Sequence, residues 1–120
     1  MNTICLMREI YLALAAFERE FDRVHGLCLN EATVLCSLCG GELSASEVSV
    51  RTGMTGSHTS KVLRSVEEKG LVARVLGDKD RRQMYFSLTE KGKERLAGIR
   101  CGSVEIPEVL KPVFKEKCDE

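Results

Sequence analysis

The spacing of apolar residues changes at Gly70, and this change constrains the fold more than any other feature of the chain. Before it, residues 55–69 repeat apolar side chains every three to four positions, as one buried face of a helix requires. After it, Leu71–Leu76 and Met84–Leu88 are short β-prone runs joined by the charged segment 77–82, which predicts a two-stranded hairpin. A lone hairpin is only marginally stable, so it must pack against helices.

The first 25 residues predict a long amphipathic helix that ends at Gly26, because glycine readily adopts the left-handed conformation of a helix C-terminus. Its apolar residues recur at alternating spacings of three and four: Met7, Ile10, Leu14, Phe17, Phe21 and Val24. This stripe, to which Ile4 also belongs, either covers the helix's own domain or supplies a subunit interface.

Two shorter helices are predicted next. The first has Asn30 as its N-cap and closes at Gly40–Gly41. The second begins at Ser44, and Glu47 three positions later completes a capping box, in which each residue satisfies a backbone donor of the other. Gly53 ends this helix.

The connection Thr52–Thr55 joins that third helix to a fourth over residues 55–69. Two helices separated by a short turn containing glycine are typical of a helix-turn-helix. The residues predicted on the buried side of the fourth helix are Thr59, Val62, Leu63 and Val66.

A fifth helix is capped by Thr89, and a last helical segment begins near Glu105. Pro107 suits a helix start, whereas Pro112 disfavours a helix interior. The sequence therefore predicts a mainly α fold with a small β-hairpin, which is a winged helix-turn-helix of five to six helices and a two-stranded wing.

Composition is that of one globular domain, with 120 residues of which 43% are apolar and 30% charged. No apolar run is long enough to span a membrane, and the first 25 residues lack the pattern of a signal peptide. We therefore expect a cytoplasmic protein that makes no membrane contact. In that reducing compartment the six cysteines are expected as thiols.

Charge is distributed unevenly although the total is zero. Residues 1–50 carry a net −4, residues 51–100 a net +6 and residues 101–120 a net −2. A clustered basic segment is the electrostatic footprint of a polyanion-binding protein. The alternative is a charged face that is merely solvated.

The fourth helix turns polar side chains away from its buried face, and these are candidates for contact with the DNA major groove. Small hydroxyls permit close approach, His58 and Lys61 reach base edges or phosphates, and Thr55 lies where a helix N-terminus favours a phosphate. The candidate residues are Thr55, Ser57, His58, Ser60, Lys61 and Arg64. The alternative is a solvated polar face.

The hairpin tip supplies a second candidate contact. Lys79, Arg81 and Arg82 crowd a short loop beside Asp78 and Asp80, whose carboxylates restrain the arginines. A narrow minor groove concentrates negative potential and attracts inserted arginine. The alternative is a soluble turn whose charges bind nothing.

The stretch Leu29–Leu96 resembles the MarR family of regulators, most closely over Glu67–Val72 and Asp78–Leu96. The family's wing pattern is complete here: Asp80, Arg82 and Leu88-Thr89-Glu90-Lys91-Gly92. The resemblance implies a sequence-specific DNA-binding transcriptional regulator, with Arg82 as the groove-inserted arginine and Asp80 shaping the wing. The carry-over to Ser57, His58 and Lys61 is less specific, since relatives vary these positions.

The resemblance also implies an arrangement on DNA. The protein binds a pseudo-palindromic site as a homodimer, with helix 55–69 in the major groove and wing 77–83 in the minor groove. Residues 1–28 form an N-terminal dimerisation helix, residues 29–100 the winged helix, and residues 101–120 a C-terminal helical dimerisation segment. Many relatives bind small aromatic ligands, but this chain, with no tryptophan and two tyrosines, gives no sign of such a ligand. From the resemblance we expect modulation by a small-molecule or redox effector.

Four residues match a zinc-ligand spacing of H-x2-C-x7-C-x2-C: His25, Cys28, Cys36 and Cys39. Cys36 and Cys39 fall among apolar residues of the second helix, where cysteine commonly serves as a small buried hydrophobe. We favour the buried role and keep zinc as an alternative.

Three other functions remain open. A thiolate at Cys5 or Cys28 is the basis of a redox-responsive regulator, although the first helix is net acidic. A winged helix used for protein contacts is the non-DNA alternative. An enzyme is not expected, since neither histidine has a carboxylate and nucleophile at motif spacing, and no cofactor is predicted.

Overall fold

A computed structural model of the chain describes residues 2–76, 83–100 and 104–114, with the backbone alone at Arg100 and Phe114. The chain divides into two compact units: one comprises residues 29–101, and the other residues 1–28 with 102–120. Each helix in these described ranges is too short or too polar to span a lipid bilayer.

Where the structure describes it, the larger unit contains four helices and three strands. In chain order these are α2 (Leu29–Ser37), β1 (Leu43–Ser44), α3 (Ala45–Thr52), α4 (Gly56–Glu68), β2 (Val72–Leu76), β3 (Met84–Leu88) and α5 (Glu90–Arg100). The smaller unit contains α1 (Thr3–His25), a 3-10 turn (Glu108–Leu110) and α6 (Lys111–Phe114). The predicted mainly α fold with a winged helix-turn-helix is confirmed.

The sheet has a strand that sequence analysis missed. The three-stranded sheet is antiparallel in the order β1-β3-β2. The two residues of β1 therefore add a third strand to the predicted hairpin. Leu43 pairs with Phe86 and Ser44 with Tyr85. Two residues are too few to display the alternation by which a strand is recognised.

The core of the larger unit is formed by side chains from its helices and from the segment after α4. Helix α4 presents Thr59, Val62, Leu63 and Val66 to this core, as its apolar spacing predicts. The most deeply buried side chains of this unit are Val34, Leu35, Val48, Thr59, Leu63, Val66 and Leu71.

The start of α3 is fixed by the predicted capping box. Ser44 Oγ accepts a hydrogen bond from the Glu47 backbone N–H at 3.2 Å, and Glu47 Oε1 accepts one from the Ser44 N–H at 3.0 Å. The bond from the Ser44 backbone, and then that from its side chain, lowers the pKa of Glu47 below its ordinary value. The capping interaction therefore favours the ionised carboxylate.

The segment Leu88–Gly92 joins α5 to the end of α4. Thr89 Oγ1 donates to the Gly70 carbonyl at 2.7 Å and accepts from the Gly92 N–H at 3.0 Å. A Cβ at Gly92 would lie 2.1 Å from the carbonyl oxygen of Leu71, so no side chain fits there. The glycine of the Leu-Thr-x-x-Gly pattern is therefore required because the backbone of α5 packs directly against the backbone at Leu71.

Helix α1 begins at the N-cap Asn2 and ends, as predicted, at Gly26, whose φ of 67° is left-handed. Phe21 is buried and its ring lies 4.6 Å from that of His25. Much of the apolar stripe is exposed, with Ile4 at 80% and Met7 at 63%. The described residues of its own unit leave these side chains exposed.

The predicted helix starts and prolines agree with the structure at two of three positions. Helix α2 begins at Leu29, so the N-cap predicted at Asn30 is wrong; Asn30 lies in the first turn, where its amide contacts another helix. Pro107 precedes the 3-10 turn, as expected. Pro112 is the second residue of α6, where a missing N–H removes no helical hydrogen bond.

Candidate nucleic-acid interface

The turn between α3 and α4 is held by side-chain hydrogen bonds. Ser49 Oγ donates to the Met54 carbonyl at 2.6 Å, and Thr52 Oγ1 donates to the Val48 carbonyl at 2.8 Å. Gly53 supplies the left-handed residue, with a φ of 77°, that closes α3. The path of the chain where it leaves α3 and enters the turn is therefore fixed by local contacts.

Helix α4 begins with Thr55 as its N-cap. The Thr55 Oγ1 accepts from the His58 N–H at 3.2 Å, and the Thr55 carbonyl accepts from the fully buried Thr59 hydroxyl at 2.8 Å. Capping leaves other first-turn N–H groups at an exposed helix terminus, which is a favourable position for an anion.

The candidate major-groove residues all lie on the exposed side of α4. Opposite the buried face, the structure exposes Thr55, Ser57, His58, Ser60, Lys61 and Arg64. Their outward orientation is as predicted, and it brings two cations, an imidazole and three hydroxyls together on one face. Contact with DNA stays a prediction.

Sequence analysis missed a contact that orients His58. Asn30 Nδ2, in the first turn of α2, lies 3.0 Å from His58 Nε2. With the amide donating, the ring proton lies on Nδ1. One ring nitrogen is thus engaged within the protein, and the rest of the imidazole faces outward.

A buried carboxylate, also missed, fixes the other end of α4. Glu31 is only 5% exposed, accepts from Ser65 Oγ at 2.7 Å and forms an ion pair with Lys69 Nζ at 2.7 Å. A charge buried this deeply requires such partners. The signal in the sequence was weak, because Glu31 resembles an ordinary acidic residue in the first turn of a helix.

The arms of the wing are well defined. Strands β2 and β3 pair from Val72↔Leu88 to Leu76↔Met84. Arg74 Nε donates to Glu67 Oε2 at 2.9 Å, and its guanidinium lies 5.6 Å from the centre of the Phe86 ring. These contacts attach the wing to α4.

The wing-tip candidates fall outside the described residues. These are Lys79, Asp80, Arg81 and Arg82, and within the predicted wing 77–83 the structure describes Gln83 alone. Their proposed contacts therefore depend on the sequence alone.

The expectation that Cys36 and Cys39 are buried hydrophobes is wrong, since both are exposed. Helix α2 ends at Ser37, so Cys39 lies in the following turn and not on the apolar face. Cys28 and Cys5 are exposed as well. Within residues 2–76, 83–100 and 104–114, no three His, Cys, Asp or Glu side chains are placed to hold a metal ion.

The larger unit also carries an open cleft of about 540 Å³. It lies between the α2–β1 connection, the end of β3 and α5. Its lining combines leucines with one acidic and one basic side chain, and includes Leu38, Gly41, Glu42, Leu88, Lys93 and Leu96.

Comparison with known proteins gives a consistent result. A sequence model of the MarR family matches residues 25–83. The exopolysaccharide II synthesis transcriptional activator ExpG of Rhizobium meliloti (strain 1021) is 31% identical over 70 residues, which are 58% of this chain and 36% of ExpG. The chain thus spans about a third of the length of that relative.

Solved structures share the fold. BpsR of Bordetella bronchiseptica, whose DNA binding is regulated by 6-hydroxynicotinic acid, has a TM-score of 0.75 at 19% identity, covering 99% of this chain and 94% of BpsR. A mutant MarR of E. coli complexed with operator DNA has a TM-score of 0.71 at 19% identity, covering 95% and 79%. The family match across the helix-turn-helix, together with this fold, shows that the chain belongs to the MarR family of winged helix-turn-helix transcriptional regulators.

Proposed function

We propose that the chain binds double-stranded DNA sequence-specifically, as a homodimer, with helix 55–69 in the major groove and wing 77–83 in the minor groove. The observation that carries the proposal is the exposed polar face of α4, backed by a turn and by contacts that fix the helix. A helix presented in this way fits a groove about 12 Å wide.

The proposed chemistry divides the face of α4 into two kinds of contact. Ser57 and Ser60 permit close approach, while His58 and Lys61 reach base edges or phosphates. Arg64 and the capped N-terminus at Thr55 bind the phosphate backbone. Sequence is then read at the N-terminal half of α4.

The wing supplies the minor-groove contact in this proposal. Strands β2 and β3 end at Leu76 and Met84 on the side of the predicted wing, and both of these side chains are exposed. Arg82 inserts into the groove, Lys79 and Arg81 bind flanking phosphates, and Asp80 shapes the loop.

Dimerisation is supported by the exposed apolar side chains of α1. An isolated, solvated apolar stripe on a helix is characteristic of an interaction surface. Ile4, Met7 and Tyr11 lie along one side of α1 and are all more than 60% exposed. We assign residues 1–28 and 101–120 to the dimer and expect a pseudo-palindromic site that mirrors its two-fold axis.

An effector is proposed to modulate binding, and the cleft beside Lys93 and Glu42 is the candidate for its site. Its volume lies within the range of small-molecule pockets, and an apolar lining with few polar groups suits an aromatic acid. The comparison with BpsR supports a ligand of this class. An aromatic acid should release the protein from DNA, and Lys93→Ala should abolish this release. Both results together would support the assignment.

The deciding experiment is selection of bound sequences from random duplexes. A two-fold symmetric motif with a constant half-site spacing is the expected result, since it reports DNA binding, symmetry and dimerisation together. Failure to retain any duplex at low salt would overturn the proposal and favour a winged helix that binds protein. Regulators of this family and fold are typically not enzymes, and we propose that this one acts on DNA in the cytoplasm.

A further inference from the structure

Where α2 ends, the backbone hydrogen bonds change from a spacing of four residues to a spacing of three. This change aligns the side chains of two cysteines. After Leu35 the hydrogen bonds connect residues three apart: Leu38 N–H to the Leu35 carbonyl, and Cys39 N–H to the Cys36 carbonyl, both at 3.2 Å. This is the pattern of a 3-10 turn, in which side chains at positions i and i+3 eclipse. Cys36 and Cys39 therefore lie on the same side of the turn.

The distances in such a turn suit a covalent bond. Residues i and i+3 of a hydrogen-bonded turn have Cα atoms within about 7 Å, and a disulfide requires about 4.4 to 6.8 Å. Both side chains are exposed, so reagents in solution reach them. We propose that Cys36 and Cys39 form a vicinal dithiol that closes to an intramolecular disulfide by exchange with a low-molecular-weight disulfide.

This thiol–disulfide exchange requires neither a metal nor a cofactor. One thiolate attacks a sulfur of the small disulfide, which forms a mixed disulfide and expels one small thiolate. The second cysteine thiolate then attacks the protein sulfur of the mixed disulfide and expels the other small thiolate. Two protein thiols are oxidised to one disulfide, the small disulfide is reduced to two thiols, and the two cysteine protons pass to the released thiolates through solvent.

The residues after Cys39 leave room for the backbone to move when the disulfide closes. Nothing lies within 4 Å of the position of a Cβ at Gly40, and Gly41 adopts a φ of 138°. The chain then enters β1, which pairs with β3, and Ser44 caps α3. Closing the disulfide thus constrains the connection between α2 and the helix-turn-helix.

The test uses the wild-type chain and a glutathione redox buffer. After equilibration the free thiols are alkylated, and a glutamate-specific protease that cuts after Glu31 and Glu42 releases residues 32–42, in which Cys36 and Cys39 are the only cysteines. We expect this peptide to be lighter by about 2 Da and to carry neither an alkyl group nor glutathione. A peptide found alkylated twice, or carrying glutathione on both cysteines, would overturn the proposal.

Variants separate the effect of geometry from thiol reactivity. Cys36→Ser and Cys39→Ser should each retain a single glutathione adduct, because no second thiolate is present to displace it. The double substitution Cys39→Ser with Gly40→Cys keeps two thiols but moves one out of register by a third of a turn. It should lose the internal disulfide, and retention at the wild-type yield would refute the argument from the 3-10 turn.

Discussion

Asn30 Nδ2 lies 3.0 Å from His58 Nε2, and this contact joins the first turn of α2 to the first turn of α4. It fixes the orientation of an imidazole that faces outward from the proposed reading helix. Since it involves a side chain rather than the helix backbone, it is removable without unfolding α4.

Asn30→Ala should therefore weaken binding to the selected duplex and leave α4 folded, since the free energy of unfolding loses at most the contribution of one hydrogen bond. One hydrogen bond contributes about 0.5 to 1.5 kcal/mol, which is about two- to tenfold in Kd. The measurement is a double-mutant cycle with His58→Ala, in which Asn30→Ala should have no further effect. Additive losses would show that Asn30 does not act through His58.

Arg82 and Lys61 should contribute to DNA binding in different ways. Arg82→Ala should weaken binding to all sequences and lower the salt dependence by about one phosphate contact, whereas Lys61→Ala should also change sequence preference. The charge-matched control is Lys93→Ala, in α5, where the lysine pairs with Glu90 outside both proposed groove contacts and the proposed dimer segments. Fluorescence anisotropy over a series of salt concentrations measures all three. An equal effect of the control would indicate non-specific charge.

Gly92→Ala should destabilise the larger unit by about 1 to 3 kcal/mol, because its Cβ meets the Leu71 carbonyl oxygen. Gly98→Ala is the matched control in the same helix, with nothing within 4 Å of its Cβ. It should stabilise α5 by about 0.5 to 1 kcal/mol. Urea unfolding of both variants checks the prediction, which fails if the two changes have the same sign.

Lys69→Met should cost about 1 to 3 kcal/mol, because it removes the ion pair between the Lys69 ammonium and the buried Glu31 carboxylate. In contrast, Lys93→Met removes the exposed pair with Glu90 and should cost less than about 1 kcal/mol. Thermal unfolding at neutral pH compares the two. Equal losses would mean that Glu31 is not stabilised by Lys69.

The capping box should make α3 sensitive to acid. Because the folded-state pKa of Glu47 lies below its ordinary value of 4.5, the stabilisation is complete above that value and is lost as the pH falls through the lowered pKa. Glu47→Gln should thus destabilise the protein at pH 7 and matter progressively less below pH 4.5. Urea titrations at several pH values measure the difference, and a constant difference would contradict the assignment.

Local signals in the sequence predicted much of this fold. Ser44 and Glu47 identified the start of α3, Gly26 and Gly53 ended two helices, and the apolar spacing of residues 55–69 identified the buried face of α4. Each of these depends on neighbours within one or two turns, where residue type and spacing determine the conformation.

The features that were missed depend on partners far along the chain. Glu31 is buried because Ser65 and Lys69 meet it, and Asn30 contacts His58 instead of capping its own helix. Strand β1 exists because β3 is beside it. The exposure of Cys39 was missed for a simpler reason, since α2 ends at Ser37 and is shorter than the apolar run suggested. Cys36 lies within α2 but on its exposed side.

Asn30 and Glu31 are consecutive residues, yet one reaches the beginning of α4 and the other its last turns. The start of α2 therefore works as a brace along the length of the neighbouring helix. A rotation of α4 about its own axis would break both attachments at once. Because α4 is already held in place in the free protein, DNA binding should cost little conformational entropy. Affinity for a duplex should then depend mainly on how well the surface of the duplex complements that of α4.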